Sequence, residues 1–96
     1  METFKIKGTL SKKGELRTGQ TSRGEWKRQQ FIVEVQSGEY TDPVAFDAWG
    51  DAIDQLQDIA VGNSVEVTFT IRSRKWNDRW FTDINAAQIE EQDLPF

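Results

Sequence analysis

The 96-residue sequence predicts an all-β fold, a five-stranded barrel with a short helix between strands 3 and 4. Apolar and polar residues alternate in several short runs, the period of a strand with one buried face. Only one segment, "GDAIDQLQDIAVGNS" (residues 50–64), has helical spacing. Gly, Asn, Asp and Pro punctuate the intervals between these runs, where turns are needed.

The first strand covers residues 4–10, with Phe4 and Ile6 inward and Leu10 closing the same face. Residues 11–25, "SKKGELRTGQTSRGE", are polar, basic and glycine-containing, and are expected to form a mobile loop. The second strand, "FIVEV" (residues 31–35), puts Phe31, Val33 and Val35 on one face. The third, "VAFDAW" (residues 44–49), does the same with Val44, Phe46 and Ala48. Asp51 is placed to cap the short helix, with Asp54 three residues on in capping-box spacing and Ile53 and Leu56 sharing a face. Gly62 and Asn63 turn the chain into "VEVTFTI" (residues 65–71), whose inward set is Val65, Val67, Phe69 and Ile71. A last strand covers residues 79–89, reached through a two-residue turn at Asn77 and Asp78. Residues 1–89 are read as one domain and residues 90–96 as a short acidic tail.

Five strands with a helix between the third and fourth is the order of the Greek-key OB-fold barrel. There the loop after strand 1 and the loop joining strands 4 and 5 flank one binding face. The net charge of −4 hides a segregation that matters on such a frame. Residues 1–28 carry +5, residues 29–71 carry −8, residues 72–79 carry +3 and residues 80–96 carry −4. The two basic segments are the two flanking loops, so the fold brings them to one groove and leaves the acidic segment elsewhere.

Closing the last hairpin on Asn77 and Asp78 pairs Trp76 with Arg79, Lys75 with Trp80, Arg74 with Phe81, Ser73 with Thr82 and Arg72 with Asp83, and opposed residues share a face. With Ile71 and Ile84 as core residues, Ser73, Lys75, Trp80 and Thr82 fall on the core side. Arg72, Arg74, Trp76, Arg79 and Phe81 fall outside. Trp80 then reads as a core residue and Phe81 as either. The register has to shift near Ala86 and Ala87, or Gln88 would point inward and Ile89 outward. The same parity puts Trp49 and Trp26 outside the core. Three outer tryptophans among cations are what a single strand of nucleic acid needs, since bases stack on rings and cations follow phosphates. The candidate nucleic-acid-binding residues are Arg23, Trp26, Lys27, Trp49, Arg72, Arg74, Trp76, Arg79 and Phe81. The competing reading makes the outer tryptophans an oligomer or protein-partner contact.

Several classes are excluded or unsupported. The chain has no Cys and no His, which removes disulfides, Cys/His zinc sites, a Cys nucleophile and a His base. Asp51, Asp54 and Asp58 share a helical stripe that reads as a solvated face rather than a metal site. No nucleophile has an evident base beside it, so an enzyme is not expected, and no cofactor is. No stretch approaches the roughly 20 apolar residues of a membrane span, and the expected setting is cytosolic.

"AWGDAIDQL" followed by "VGNSVEVTFTIRSRKWNDRWFTDI" resembles the second half of bacterial and phage single-stranded DNA-binding proteins of the SSB type, over roughly residues 42–89. "TSRGEWKRQQF" (residues 21–31) is similar to DUF3127, a family of small SSB-like OB-fold domains. By match, Trp49 and Trp76 take the places of base-stacking residues. "EEQDLPF" resembles the acidic SSB tip, a partner-docking peptide, which implies that Asp93, Leu94, Pro95 and Phe96 bind replication or repair proteins; the alternative is that Leu94 and Phe96 fold back on the barrel. The resemblance also implies a homo-oligomer. The expected function is sequence-nonspecific binding of single-stranded DNA in replication, repair or recombination, in the cytoplasm of a bacterium or phage-infected cell. RNA is served by the same stacking chemistry.

Overall fold

In the computed structural model, which describes residues 2–92, five long strands wind into a closed barrel. They are β1 (Phe4–Thr21), β2 (Gly24–Ser37), β3 (Tyr40–Trp49), β4 (Ser64–Trp76) and β5 (Arg79–Glu91), with helix α1 (Asp51–Gln57) between β3 and β4. The spatial order is β1-β2-β3-β5-β4, and β4 closes on β1. This is the five-stranded barrel with the helix position that the alternation and the helical segment predict. Neighbours are antiparallel except β3 and β5, which meet in parallel through only two residue pairs. Asp93, Leu94, Pro95 and Phe96 lie outside the described residues.

One face of each strand supplies the core, as the period of two requires. Leu10, Phe31, Val33, Phe46, Ala48, Val65, Val67, Ala86 and Ile89 meet Ala52, Ile53 and Leu56 of α1 and the following Ile59. Phe46 stacks on Phe31 and takes Phe69 edge-on, each with ring centroids 5.4 Å apart. Full burial of such side chains stabilises by roughly 1.5–3 kcal/mol each. The helix also closes the short parallel seam. Gln55 accepts the Ile89 backbone N–H through Oε1 at 2.7 Å, and Gln57 donates to the buried Gln29, which in turn donates to the Gly14 carbonyl. A strand edge that β3 leaves unpaired is thus satisfied by helix side chains.

The last hairpin has the register read from its turn. Trp76 pairs with Arg79 and every rung back to Ile71 and Ile84 follows. Asn77 and Asp78 both take positive φ, 50° and 60°, the type I′ geometry that matches strand twist. Phe69 faces Ala86 while Thr68 faces Gln88, so Ala87 is an extra residue, and Ile89 turns into the core. That is the shift the apolar pattern demanded.

Other expectations change. Residues 11–25 are not a mobile loop. β1 runs on to Thr21 and pairs with β2 almost to the tip, Thr21 opposite Gly24. The loop composition misleads because this ribbon extends past the barrel, where neither face is buried and alternation has nothing to report. The last strand runs two residues beyond 89, and Gln92 N–H donates to Ser64 O at 2.8 Å. The helix is capped by Gly50 rather than Asp51, with no side-chain cap bond. The chain enters it at φ 55°, which glycine tolerates, and Asp51 and Asp54 sit in the first turn, where the helix dipole favours them. Ile71 and Trp80 are not core residues: they are 50% and 68% exposed. Their parity is as expected, but the ribbon has left the barrel and there is no core beneath them.

Candidate nucleic-acid interface

The barrel's outer face between the two ribbons carries one continuous series of rungs. Arg17, Arg28 and Trp49 are opposed across β1, β2 and β3. Gln30, Asp47, Asn85 and Thr70 are opposed across β2, β3, β5 and β4. Arg72 with Asp83, Arg74 with Phe81 and Trp76 with Arg79 then climb the β4–β5 ribbon. A groove of about 640 Å³ lies along this path, lined by Arg28, Asp47, Trp49, Arg72, Arg74 and Asn85 among others. A second hollow of about 360 Å³ shares Arg28 and Asp47 with it and continues toward Arg17 on β1.

At one end the aromatic surface is built in. Trp49 lies with its ring centroid 6.4 Å from that of Trp26, and the Arg28 guanidinium stands 5.8 Å from the Trp49 ring centroid. The Trp49 indole N–H donates to Asn85 Oδ1 at 2.8 Å, which fixes the ring from the neighbouring strand. Gly19, opposite Trp26 in the ladder, makes room for this arrangement: a Cβ there would stand 2.5 Å from the Trp26 ring. Both rings keep an open surface, 38% for Trp26 and 42% for Trp49.

At the other end the surface is open. Trp76 is 66% exposed near the tip of the ribbon. Its partner Arg79 is six residues from Asn85, about 20 Å at the usual strand rise. Arg74, Trp76 and Phe81 line a shallow apolar hollow there. Among the described residues, Arg28, Arg72, Arg74, Arg79, Asp47 and Asp83 are in no ion pair. Among the described residues these cations have no carboxylate partner, while Asp47 and Asp83 oppose an anion on the same path.

Of the residues expected in the site, Trp26, Trp49, Arg72, Arg74, Trp76, Arg79 and Phe81 share this face. Lys27 does not: it is paired across the ladder with Thr18, on the opposite face of the β1–β2 ribbon, 3.9 Å from Glu25 and beside Leu16 and Ile53. Arg23 sits in the ribbon's turn, its backbone N–H donating to Thr21 Oγ1 at 3.2 Å. Arg17, Arg28, Asn85, Asp47 and Asp83 join the face without having been expected there. Arg28 was within reach, because the parity that puts Trp26 outside puts Arg28 outside too and Lys27 inside. Arg17 depended on seeing β1 continue. Among the described residues no group of three or more Asp or Glu is placed to hold a metal ion.

The comparisons fit this geometry. A family model described as a domain of unknown function (DUF3127) matches residues 5–90. No curated protein matches the sequence. Among solved structures, the mitochondrial single-stranded DNA-binding protein Rim1 of S. cerevisiae is similar at 12% identity and a TM-score of 0.71, with 94% of each chain covered. The dimeric N-terminal domain of PriB from Thermoanaerobacter tencongensis is similar at 20% identity and a TM-score of 0.65, covering 96% of this chain and 97% of that one. The Plasmodium falciparum SSB in complex with ssDNA is similar at 16% identity and a TM-score of 0.64, covering 97% and 96%. At these identities the likeness is one of fold, and the fold is the OB-fold of SSB and PriB proteins.

Proposed function

The chain belongs to the DUF3127 family, and from its groove we propose that it binds single-stranded nucleic acid without reading sequence. The observation that carries this is the joined row of Trp26, Trp49, Arg28, Arg72, Arg74 and Trp76 on one outer face, with the arginines in no ion pair among the described residues. Bases stack on the indoles at roughly 1–3 kcal/mol each, and the guanidiniums take phosphates. On this reading its role is that of a binding protein rather than an enzyme. Single-stranded DNA, as in the Plasmodium complex, is the ligand we assign; RNA offers the same rings and phosphates.

The wider role follows as part of the same proposal. The protein sheathes single strands during replication, repair or recombination in a bacterial or phage-infected cytoplasm, works as a homo-oligomer and recruits partners through Asp93, Leu94, Pro95 and Phe96. Among the described residues no helix is long and apolar enough to cross a membrane.

A tryptophan-fluorescence titration with oligo-dT, at low and moderate salt and beside Trp76→Ala, tests the reading. The expected result is strong quenching that weakens with salt and with the substitution. The salt slope, about 0.7 per phosphate contacted, counts the cations engaged. Absence of quenching at low salt overturns it and leaves the exposed tryptophans to a protein partner.

A further inference from the structure

The groove uses one face of the β4–β5 ribbon, and the back of that ribbon is also equipped. Trp80 is the most exposed of the four tryptophans. Lys75, its ladder partner, holds Nζ 6.0 Å from the ring centroid. On the same face, two rungs back, the Ser73 and Thr82 hydroxyls bond to each other at 3.0 Å, and half-exposed Ile71 follows. β1 pairs with β4 no farther than Phe69, and β3 pairs with β5 no nearer the tip than Asn85. From there outward the ribbon is two strands wide, with no third strand paired to either edge among the described residues. The rung of Lys75 and Trp80 is adjacent to the rung of Trp76 and Arg79, so an indole and a cation lie on each side of the same short stretch.

We propose that Trp80 and Lys75 form a second single-strand contact, so that a strand leaving the groove at Trp76 passes over the ribbon's edge and stacks a base on its back. This rests on the groove being a single-strand site. The alternative occupant, a second copy of the chain, is disfavoured by size. The patch spans two strands by about five residues, roughly 10 Å by 17 Å, whereas a stable interface takes about 800 Å² from each partner. A stacked nucleotide needs only one ring and one nearby cation, which is what the patch provides. Asp78 at the tip, 4.0 Å from Lys75 Nζ, is the anion that a phosphate displaces there.

The test uses the full chain with two oligo-dT probes, one just long enough to fill the groove and one about twice that length. Trp80→Ala is expected to leave affinity for the short probe within about twofold and to weaken the long probe about fivefold or more, the loss of one stacked base. Trp80→Phe should restore most of it, and Trp76→Ala should weaken both probes. If Trp80→Ala matches wild type on both lengths while Trp76→Ala weakens both, the back contact is wrong and the groove stands. If Trp80→Ala instead shifts the sedimentation coefficient of the free protein, the patch joins copies of the chain and the proposal falls. If wild type binds neither probe, the groove reading fails and takes this contact with it.

Discussion

Trp26, on the β1–β2 ribbon, is wedged over Gly19 and against Trp49, whereas Trp76, on the β4–β5 ribbon, forms no ring–ring pair among the described residues. Both ribbons are long antiparallel hairpins that leave the same barrel. They differ in what stands behind their aromatic residues. Trp49 is tied to Asn85 and flanked by Arg28, so the first end of the groove presents rings already held in place. On the proposed reading, holding the exposed Trp76 against a strand would cost about 0.5–1.5 kcal/mol for an immobilised side chain. The difference teaches that one groove can combine an anchoring end with an adaptable one. On the proposed reading, the packed platform would lose little entropy on binding and the open arm more.

This contrast can be broken at its strongest point first. Trp49→Ala removes the fixed ring and exposes the Trp26 edge, so affinity for oligo-dT should fall about tenfold to a hundredfold, more than for Trp76→Ala. Equal losses at the two ends, measured by the same titration, would erase the distinction. Gly19→Ala is subtler: the new methyl group has to push Trp26 aside, and a loss of roughly fivefold to tenfold is expected, with a changed near-ultraviolet circular dichroism spectrum. An unchanged spectrum and affinity would mean that Trp26 does not need its seat.

Arg28→Gln should reduce the salt slope by about 0.7, the change expected when one phosphate at the anchored end no longer meets a cation. A slope equal to that of wild type would assign Arg28 to holding Trp49 rather than to binding. The smallest effect concerns the carboxylates on the path. Asp83→Asn should raise affinity about twofold to fivefold at low salt and have no effect at high salt, where the repulsion is screened. A loss of affinity would mean that Asp83 accepts a hydrogen bond from a base and is not merely tolerated.

The same two ribbons show what a sequence reveals and why. The β4–β5 ribbon was legible because Asn77 and Asp78 favour the positive φ that a type I′ turn needs, and because β4 begins inside the barrel, where Val65, Val67 and Phe69 set the parity. The β1–β2 ribbon gave no turn cue, and its parity could be carried out from the barrel on the β2 side only, from Phe31 and Val33. Its turn residues Ser22 and Arg23 have negative φ, the positive value falling on Gly24, and the strand beyond Lys13 has no buried face to set a period. Irregular pairing between Lys13 and Leu16 breaks what alternation remained. Parity likewise located Trp80 correctly on its face, yet could not tell that the barrel ends before reaching it. Periodicity reports which residues share a side. Whether anything covers that side depends on strand length, and only tertiary structure sets that.

The most direct test of the groove follows the four indole N–H signals in a nitrogen-edited NMR spectrum while a short oligo-dT is added. Trp49, whose N–H is already bonded to Asn85, should give a signal distinct from the free ones. The account predicts that the Trp26 and Trp49 signals shift together, that Trp76 shifts with them, and that backbone signals of Arg28, Arg72 and Arg74 follow. Binding that moves backbone signals elsewhere while Trp26 and Trp49 stay fixed would contradict it.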